Sequence, residues 1–328
     1  CVTAEDYKVF VKRFYPNTEA VSIFGGESGS FDPVLGVSSV QEFGKVFISI
    51  KSTTGNFIPQ VEKRRLVERL SPFTVASITP VIVDPETLFL ILDVSSTFNP
   101  NLTTLTSNDL ESVIVNSLTN FNNNNLKTFN SAFRHSQVTK LIDDSDTSLT
   151  SNITKVVMGK FFIPLLDESV GYTISFNNSI YNPHSKHNSD QGGVIASTGF
   201  KVSGDANNEM FLDDDGNGYI RRFFILSGVK NYLDDKAGTI DYATGTIKLN
   251  PLTVTLVSNV DNTSSTQIRI TSIPDSVDII PVRNQLIEID LINTIVNVSI
   301  DGAAVGDITT VTTSNRATSS FTTSVSGY

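Results

Sequence analysis

The sequence predicts an α+β protein in which small α/β modules with antiparallel or mixed sheets precede a mostly-β C-terminal region. Helical and strand-like apolar patterns alternate up to about residue 165, which is typical of helices packed on sheets. Helical periodicity then disappears, and clusters of Ser, Thr, Asn, Asp and Gly separate short β-type runs. These patterns divide the 328 residues into an α/β segment (1–75), an α+β module (76–165) and a mostly-β domain (166–328).

A helix opens the first segment. Thr3 is a suitable N-cap, and Asp6 lies three residues further on, near the positive end of the helix dipole. The residues that form its apolar stripe are Tyr7, Phe10, Val11, Phe14 and Tyr15. Because Pro16 cannot continue a helix, the helix is expected to stop there.

Two strands and a second helix follow in this segment. The strands are predicted at Ala20–Phe24 and at Lys45–Ile50, where apolar residues alternate. Pro59 favours the start of a helix that runs to Leu70, because proline is well tolerated in the first turn. The residues expected to face inward from this helix are Val61, Leu66, Val67 and Leu70.

The second segment is predicted as two strands, two helices and a strand. The tight turn Asp84–Glu86 separates the first two strands, since Asp bonds its own backbone and Pro85 fixes φ. Thr106 or Ser107 caps the long helix, and the run Asn122–Asn125 ends it. The remaining elements are the strands Ser77–Val83, Thr87–Ser96 and Ile153–Phe162 and the helix Ser136–Asp143.

The third segment contains only β-type runs, of which Gly238–Leu249 is a predicted hairpin with Gly245 at positive φ. In the run Leu286–Ile300 the apolar phase changes face, which indicates a bulge, a bend or burial on both sides. The tail Ile308–Tyr328 is either a loose terminus or a strand completed by another chain. The other predicted strands are Tyr172–Phe176, Gly193–Val202, Tyr219–Leu226, Thr253–Ser258 and Gln267–Thr271.

The charge and composition exclude several classes of function. Acidic residues number 34 and basic residues 24, so the net charge is −10, which disfavours binding to a phosphate backbone. The basic runs Lys12–Arg13 and Lys63–Arg65 are interpreted as solvated helix faces. Cys1 is the one cysteine, so no intrachain disulfide forms. The sequence has no run of 18 apolar residues, so it predicts no membrane-spanning helix.

An acidic run, Asp213–Ile220, contains the sharpest candidate site. Its D-x-D-x-N-G order resembles the start of a calcium-binding loop and makes Asp213, Asp215 and Asn217 candidate ligands. However, Phe224 stands where the twelfth-position glutamate is expected, and the flanks read as strands. The alternative is a hairpin turn in which two glycines, at 216 and 218, supply positive φ.

Other reactive side chains do not form a recognisable constellation. His184 and His187 lie near Asp190 in a polar loop without the further ligands that zinc needs. The acidic pairs Asp143–Asp144 and Asp234–Asp235 are interpreted as surface charge. The loop Gly25–Gly29 lacks the Gly-Lys-Ser/Thr ending of a phosphate loop. The sequence therefore predicts a protein that is not an enzyme and takes no cofactor or small-molecule substrate.

Five segments together resemble the baseplate J-like family, and within it the C-terminal half of the wedge proteins of T-even-type contractile-tailed phages. They are VTAEDYKVFVKRF from Val2, the helix Val61–Leu70, the strand ending LFLILDVSS, the helix LESVIVNSLTNF and the strand NITKVVMGKFF. The J-like part covers roughly residues 1–165, and the β-region with GTIDYATGTIKL resembles a phage-specific extension.

The resemblance implies a structural subunit of the virion, assembled in the host cytoplasm as part of the tail baseplate. Such subunits form homodimers, contact other baseplate wedge proteins, close into a ring around the hub and take part in the rearrangement that triggers tail contraction. The two-faced apolar pattern of Leu286–Ile300 places a candidate self-association surface at Ile292, Val296 and Val298. The alternative function is a calcium-dependent cell-surface adhesion or carbohydrate-binding module, which the β-rich second half and the acidic run would suit.

Overall fold

A computed structural model describes residues 1–28, 30–32, 36–38, 41–54, 58–182, 193–260, 263–282 and 284–304, and it confirms the α+β class. The helices are α1 (Ala4–Phe14), α2 (Gln60–Leu70), α3 (Ser107–Phe121) and α4 (His135–Asp143). Short 3-10 turns lie at Gly26–Ser28 and Ser71–Phe73, and a π-helical turn at Asn122–Leu126.

The strands fall into the two halves of the chain as predicted, with those of the C-terminal half more numerous. The first seven are β1 (Thr18–Gly25), β2 (Ser30–Asp32), β3 (Gly36–Ser38), β4 (Lys45–Ser52), β5 (Thr79–Val83), β6 (Glu86–Phe98) and β7 (Leu149–Phe162). The others are β8 (Ser169–Ser175), β9 (Ile195–Ser197), β10 (Phe200–Val202), β11 (Asp205–Asp214), β12 (Tyr219–Leu226), β13 (Val229–Asp241), β14 (Thr246–Val257), β15 (Ile268–Ser272), β16 (Gln285–Ile289) and β17 (Ile295–Ile300).

The chain forms two compact units that are interleaved in sequence. The first consists of Cys1–Leu88, Asn122–Phe133 and Ile280–Glu288. The second consists of Phe89–Phe121, Arg134–Ile279 and the residues from Ile289 onward. The division into segments 1–75, 76–165 and 166–328 stays a prediction.

In the first unit, two helices cover a three-stranded sheet of order β1-β4-β5, antiparallel between β1 and β4 and parallel between β4 and β5. The predicted cap of α1 is confirmed: Thr3 accepts from the backbone N–H of Asp6, whose carboxylate accepts from the N–H of Thr3. The core residues include Tyr7, Val11, Ile48, Ile50, Leu66 and Leu70.

The predicted inward face of α2 is wrong at its first residue. Val61 is 70% exposed, whereas Lys63 is buried with Leu66 and Leu70. Lys63 tolerates this position because its ammonium lies 2.6 Å from a carboxylate oxygen of Asp84. Pro59 is the N-cap residue, so the helix begins one residue after the predicted start.

A second sheet has the order β16-β6-β7-β15-β9, and β17 pairs with β6 in parallel. Helices α3 and α4 pack on this sheet through β17 and β7. Thr106 caps α3, since its hydroxyl accepts from the N–H of Asp109. The asparagine run was expected to end the helix, but it continues the α-helix as the π-helical turn Asn122–Leu126, in which Leu126 is buried.

Five strands of the second unit close into a barrel. The order is β10-β11-β12-β13-β14, and the additional pairing of β10 with β14 completes the ring, while β8 pairs with β14 from Thr246 to Thr253. The predicted hairpin at Gly238–Leu249 is confirmed, and Gly245 has φ +66°. A Cβ at Gly238 would lie 2.4 Å from the Lys248 carbonyl oxygen, so only glycine fits there.

Four of the predicted β-runs need correction. Gly193–Val202 is two short strands, β9 and β10, and the second arm of the predicted hairpin, Thr246–Leu249, continues into Thr253–Ser258 as one bulged strand, β14. Leu286–Ile300 is two strands joined by a turn. The turn forms because the Asp290 carboxylate accepts from the N–H groups of Ile292 and Asn293, both at 3.2 Å. The change of apolar face is therefore a turn, which none of the three predicted explanations included.

Among the described residues, no helix combines the length and the apolar character that a membrane crossing requires.

Candidate interaction surfaces

Asp213 is the centre of a buried charge cluster on β11–β13. One carboxylate oxygen accepts from Arg221 Nε at 3.0 Å, and the other accepts from Lys230 Nζ and the Tyr232 hydroxyl, both at 3.0 Å. The Asp213 side chain is only 4% exposed. Because three donors, two of them cationic, already surround this buried carboxylate, Asp213 acts as an internal acceptor of the barrel.

The neighbouring Asp214 is also buried, and its partners lie at the start of β9 in the second sheet and in the β13–β14 turn of the barrel. Its Oδ1 accepts from the N–H groups of Gly193 and Ile195 at 2.7 and 2.9 Å, and its Oδ2 accepts from the Tyr242 hydroxyl at 2.7 Å. These bonds tie the strand that holds Ile195 to the β13–β14 hairpin. Asp214 is thus a structural acceptor in the barrel.

The residues proposed as calcium ligands make different hydrogen bonds, Asp213 in the charge cluster and Asp215 in the β11–β12 turn. Asp215 Oδ1 accepts from the backbone N–H groups of Asn217 and Tyr219, at 2.7 and 2.9 Å, and so closes the β11–β12 turn. Gly216 and Gly218 have φ values of +76° and +103°. Within the described part of the chain, no group of three or more His, Cys, Asp or Glu side chains is arranged to hold a metal ion. This geometry favours the hairpin-turn interpretation of the acidic run.

The cluster shifts the titration of the groups around it. Burial and the adjacent Asp213 carboxylate raise the pKa of Tyr232 to about 12. Burial and the Asp214 carboxylate raise the pKa of Tyr242 as well. Burial alone would lower the pKa of the Arg221 guanidinium, but contact with Asp213 raises it. Both phenols are therefore neutral and the Arg221 guanidinium is charged at neutral pH.

The proposed self-association residues do not share one face. Ile292 lies in the turn after β16 and is 85% exposed, whereas Val298 is buried beneath α3 at 7%. Val296 is on the same face of β17 as Val298 and is half-buried. The exposed apolar residues that accompany Ile292 are Ile295 at 56% and Ile300 at 55%. Sequence reasoning missed Ile295 because the turn, which resets the strand phase, was not recognised.

One edge of β17 is partly closed by a helix. The N–H of Val298 donates to Glu111 Oε1 of α3 at 3.2 Å, while the opposite edge of β17 pairs with β6 from Ile295 to Ile300 without a register shift. A carboxylate on an outward N–H occupies a position that another strand would otherwise use. The strand edge is therefore protected at its middle and the turn before it is exposed.

The remaining sequence candidates are distributed over the surface. Asp143 accepts from Asn152 Nδ2 at 2.7 Å, and Asp144 lies 3.8 Å from Lys140. Asp234 lies 3.9 Å from Arg222. His184, His187, Asp190 and the tail Ile308–Tyr328 lie outside the described residues. The sequence analysis did not identify the partners of Asp213. The signal that could have identified them is the pair of basic residues at 221 and 230, which lie on strands after the acidic turn.

Profiles of two related domains match the N-terminal half of the chain. Residues 3–83 match baseplate structural protein gp6, C-terminal domain I, and residues 86–160 match baseplate structural protein gp6, C-terminal domain III. The chain is also similar to the baseplate wedge protein gp6 of Enterobacteria phage T4, with 28% identity over 159 residues. That alignment covers 48% of this chain and 22% of the relative, so the matched part spans about a fifth of the relative's length.

Proposed function

The N-terminal half of the chain belongs to the family of baseplate structural protein gp6, and on this premise we propose that the protein is a structural subunit of a phage tail baseplate wedge. The resemblance inferred from the sequence is thus confirmed. The family is described as structural, which agrees with the predicted lack of enzymatic activity. Function then resides in surfaces that contact other proteins of the virion tail.

The finer part of this proposal is that copies of the chain associate in pairs and link wedges into a ring that rearranges when the tail contracts. The match to two C-terminal domains of a baseplate structural protein supports it, because a structural subunit acts through contacts with other subunits. A homodimer would follow twofold symmetry, in which the same patch of both copies meets itself.

The self-contact that we propose is centred on the turn between β16 and β17. Ile292 and Ile295 are 85% and 56% exposed and lie three residues apart. Exposed apolar residues that lie together mark interaction sites more often than isolated ones do. Of the residues proposed from sequence, Ile292 stays in this surface, whereas Val296 and Val298 lie on the face of β17 opposite to Ile295.

Solution mass measured by light scattering after size exclusion tests this proposal. At about 0.5 M salt, where contacts between exposed charges are screened, we expect roughly twice the chain mass of 35.7 kDa. Replacing Ile292 and Ile295 with Asp should return the mass to that of one chain, because each carboxylate would be desolvated at the contact.

The matched control is Ile163→Asp, a change of the same kind at a residue that is 57% exposed elsewhere on the chain. It should leave the dimer intact. A dimer that survives the double substitution would reject the β16–β17 surface, and a monomeric parent chain would reject pairing through this part of the protein.

Calcium dependence separates the wedge from the adhesion module. The wedge proposal expects the same melting temperature with calcium and with chelator, because the acidic run is engaged in its own turn and cluster. A calcium-dependent rise in melting temperature would instead favour the adhesion or carbohydrate-binding function, since a ligand bound only by the folded state raises its stability.

A further inference from the structure

Three phenylalanines form a cluster at the surface of the first unit. Phe10 and Phe14 lie on one stripe of α1, and their ring centroids are 4.5 Å and 5.9 Å from that of Phe73, which follows α2. Phe73 is 44% exposed, and the other two rings are half-buried. Rings that already pack on one another lose little freedom on binding, so such a cluster is a suitable interface anchor.

Two exposed arginines flank this cluster. Arg13 is three residues after Phe10 and therefore lies beside the same stripe. Arg69 of α2 places Nη1 3.4 Å from the carbonyl oxygen of Phe14. The acidic residue nearest to Arg69 in sequence is Glu68, which is exposed. We refer to Phe10, Arg13, Phe14, Arg69 and Phe73 as the aromatic face.

A hairpin of the second unit has the complementary character. β12 pairs with β11 only as far as Phe224, and β13 pairs with β14 only from Gly238 onward. The hairpin between them, Ile225–Asp235, is referred to as the hairpin arm. Its exposed apolar residues are Leu226 at 59%, Val229 at 62% and Leu233 at 52%.

The hairpin arm carries acidic charge beside these apolar residues. Asp235 is exposed, and the Asp234 side chain is 40% exposed at 3.9 Å from Arg222. The one lysine of the arm, Lys230, is directed to the buried carboxylate of Asp213. The outer surface of the arm therefore combines aliphatic side chains with carboxylates.

The charges of the whole chain are distributed in the same way, with more acidic than basic residues towards the C-terminus. Residues 1–75 contain nine basic and eight acidic residues, whereas residues 166–328 contain ten basic and eighteen acidic ones. Such an asymmetry favours encounters between the N-terminal region of one copy and the C-terminal region of another.

We propose that the aromatic face of one copy binds the hairpin arm of a second copy, with Arg13 and Arg69 opposite Asp234 and Asp235 and the phenylalanines against Leu233 and Val229. The two surfaces are different, so this contact is heterologous. Repeated from copy to copy, it generates rings or open chains, whereas the twofold contact proposed above generates only pairs. The inference does not depend on that twofold contact.

The test uses the 328-residue chain carrying Ile292→Asp and Ile295→Asp, which removes the apolar twofold contact. Sedimentation velocity at about 50 mM salt should show concentration-dependent oligomers that dissociate at about 0.5 M, because the contact is partly ionic. Adding Arg69→Glu, or separately Asp235→Lys, should weaken the association by about tenfold or more, since each places like charges opposite one another.

Mixing the two charge variants gives the decisive result. The Arg69→Glu chain keeps an intact hairpin arm, and the Asp235→Lys chain keeps an intact aromatic face. An equimolar mixture should therefore regain the association of the chain without charge reversals, although each variant alone associates about tenfold more weakly, because the reversed charges of Arg69→Glu and Asp235→Lys are themselves complementary. Restored association places residues 69 and 235 opposite each other, and growth beyond two copies distinguishes the heterologous contact from a twofold contact, which closes at a pair.

Matched controls are Arg64→Glu, which lies about 140° around α2 from Arg69, and Glu168→Lys, an exposed reversal away from the hairpin arm. Both controls should associate as the Ile292→Asp/Ile295→Asp chain does, and circular dichroism should show that all variants are folded. An Ile292→Asp/Ile295→Asp chain that stays monomeric or stops at a pair at low salt, or a mixture of charge variants that does not regain association, would overturn the proposal. Failure of the twofold contact would appear separately, as a parent chain that is unaffected by the two isoleucine substitutions at high salt.

Discussion

Lys51 of the first unit and Asp213 of the barrel are both almost completely buried charges, but they are compensated in different ways. Lys51 on β4 has one direct ion-pair contact, with the carboxylate of Glu288, which is 237 residues away in sequence, and is also attracted by the charge of the exposed Glu19. Asp213 receives three donors that all lie within 19 residues of it. A charge with a single partner can be exchanged together with that partner. A charge shared by several partners cannot be removed without leaving another charge uncompensated.

Removing the centre of the barrel cluster should have the largest effect. Asp213→Asn keeps the shape of the side chain but leaves the Arg221 and Lys230 cations facing a neutral amide in a buried site. We expect a loss of about 3–5 kcal/mol in the free energy of unfolding, measured by urea denaturation followed by circular dichroism. Hydrogen exchange should rise in β11–β13 first, because the three donors lie on that hairpin.

The control for this change is Asp144→Asn, which removes an exposed ion pair at 3.8 Å. It should alter the free energy of unfolding by less than about 0.5 kcal/mol. Equal effects of the two substitutions would show that burial of the cluster does not set its energetic role.

Replacing the single-partner pair should cost less and should be recoverable. Lys51→Met leaves Glu288, whose side chain is 15% exposed, without its cation, and we expect a loss of about 3 kcal/mol. The double variant Lys51→Met/Glu288→Leu should return to within about 1 kcal/mol of the parent, because no uncompensated charge is left. A double-mutant cycle in urea measures the difference. Additive losses from the two substitutions would contradict the distinction drawn between this pair and the Asp213 cluster.

The smallest effect concerns the pH dependence of the barrel cluster. The pKa of Tyr232 is raised from 10 to about 12 in the folded protein, so between these values the folded state keeps a proton that the unfolded state loses. The contribution is complete below pH 10 and falls as the pH rises to 12. The stability of Tyr232→Phe should therefore decline less steeply between pH 10 and 12 than that of the unsubstituted protein. Urea midpoints measure the stability, and phenolate absorbance measures the ionisation of the tyrosines. An identical decline in both proteins would exclude this linkage.

The helical elements could be predicted closely because their signals are local. The capping residues Thr3 and Asp6 predict the first turn of α1, and Thr106 predicts the first turn of α3. The exposed position of Val61 and the burial of Lys63 could not be predicted in this way. Lys63 is buried because Asp84, 21 residues later, meets it in space.

The barrel was less predictable because its strands are stabilised by partners that are distant in sequence. β11 begins with Asp205-Ala206-Asn207-Asn208, a composition typical of a loop, and it was not expected as a strand. It forms because strands pair with it on both sides. The acidic run was read correctly as a turn candidate, but its cluster with Arg221, Lys230 and Tyr232 requires the registers of β12 and β13, which no local pattern supplies.

The parallel pairing of β17 with β6 also constrains the order in which the chain can fold. Asp93 meets Ile295 and Phe98 meets Ile300, so the two strands are separated by about 200 residues that include the whole barrel. During synthesis, β6 emerges long before its parallel neighbour exists, and closure of so long a loop is slow. That edge of β6 must therefore wait, open to other strands, until the last described strand of the chain has left the ribosome.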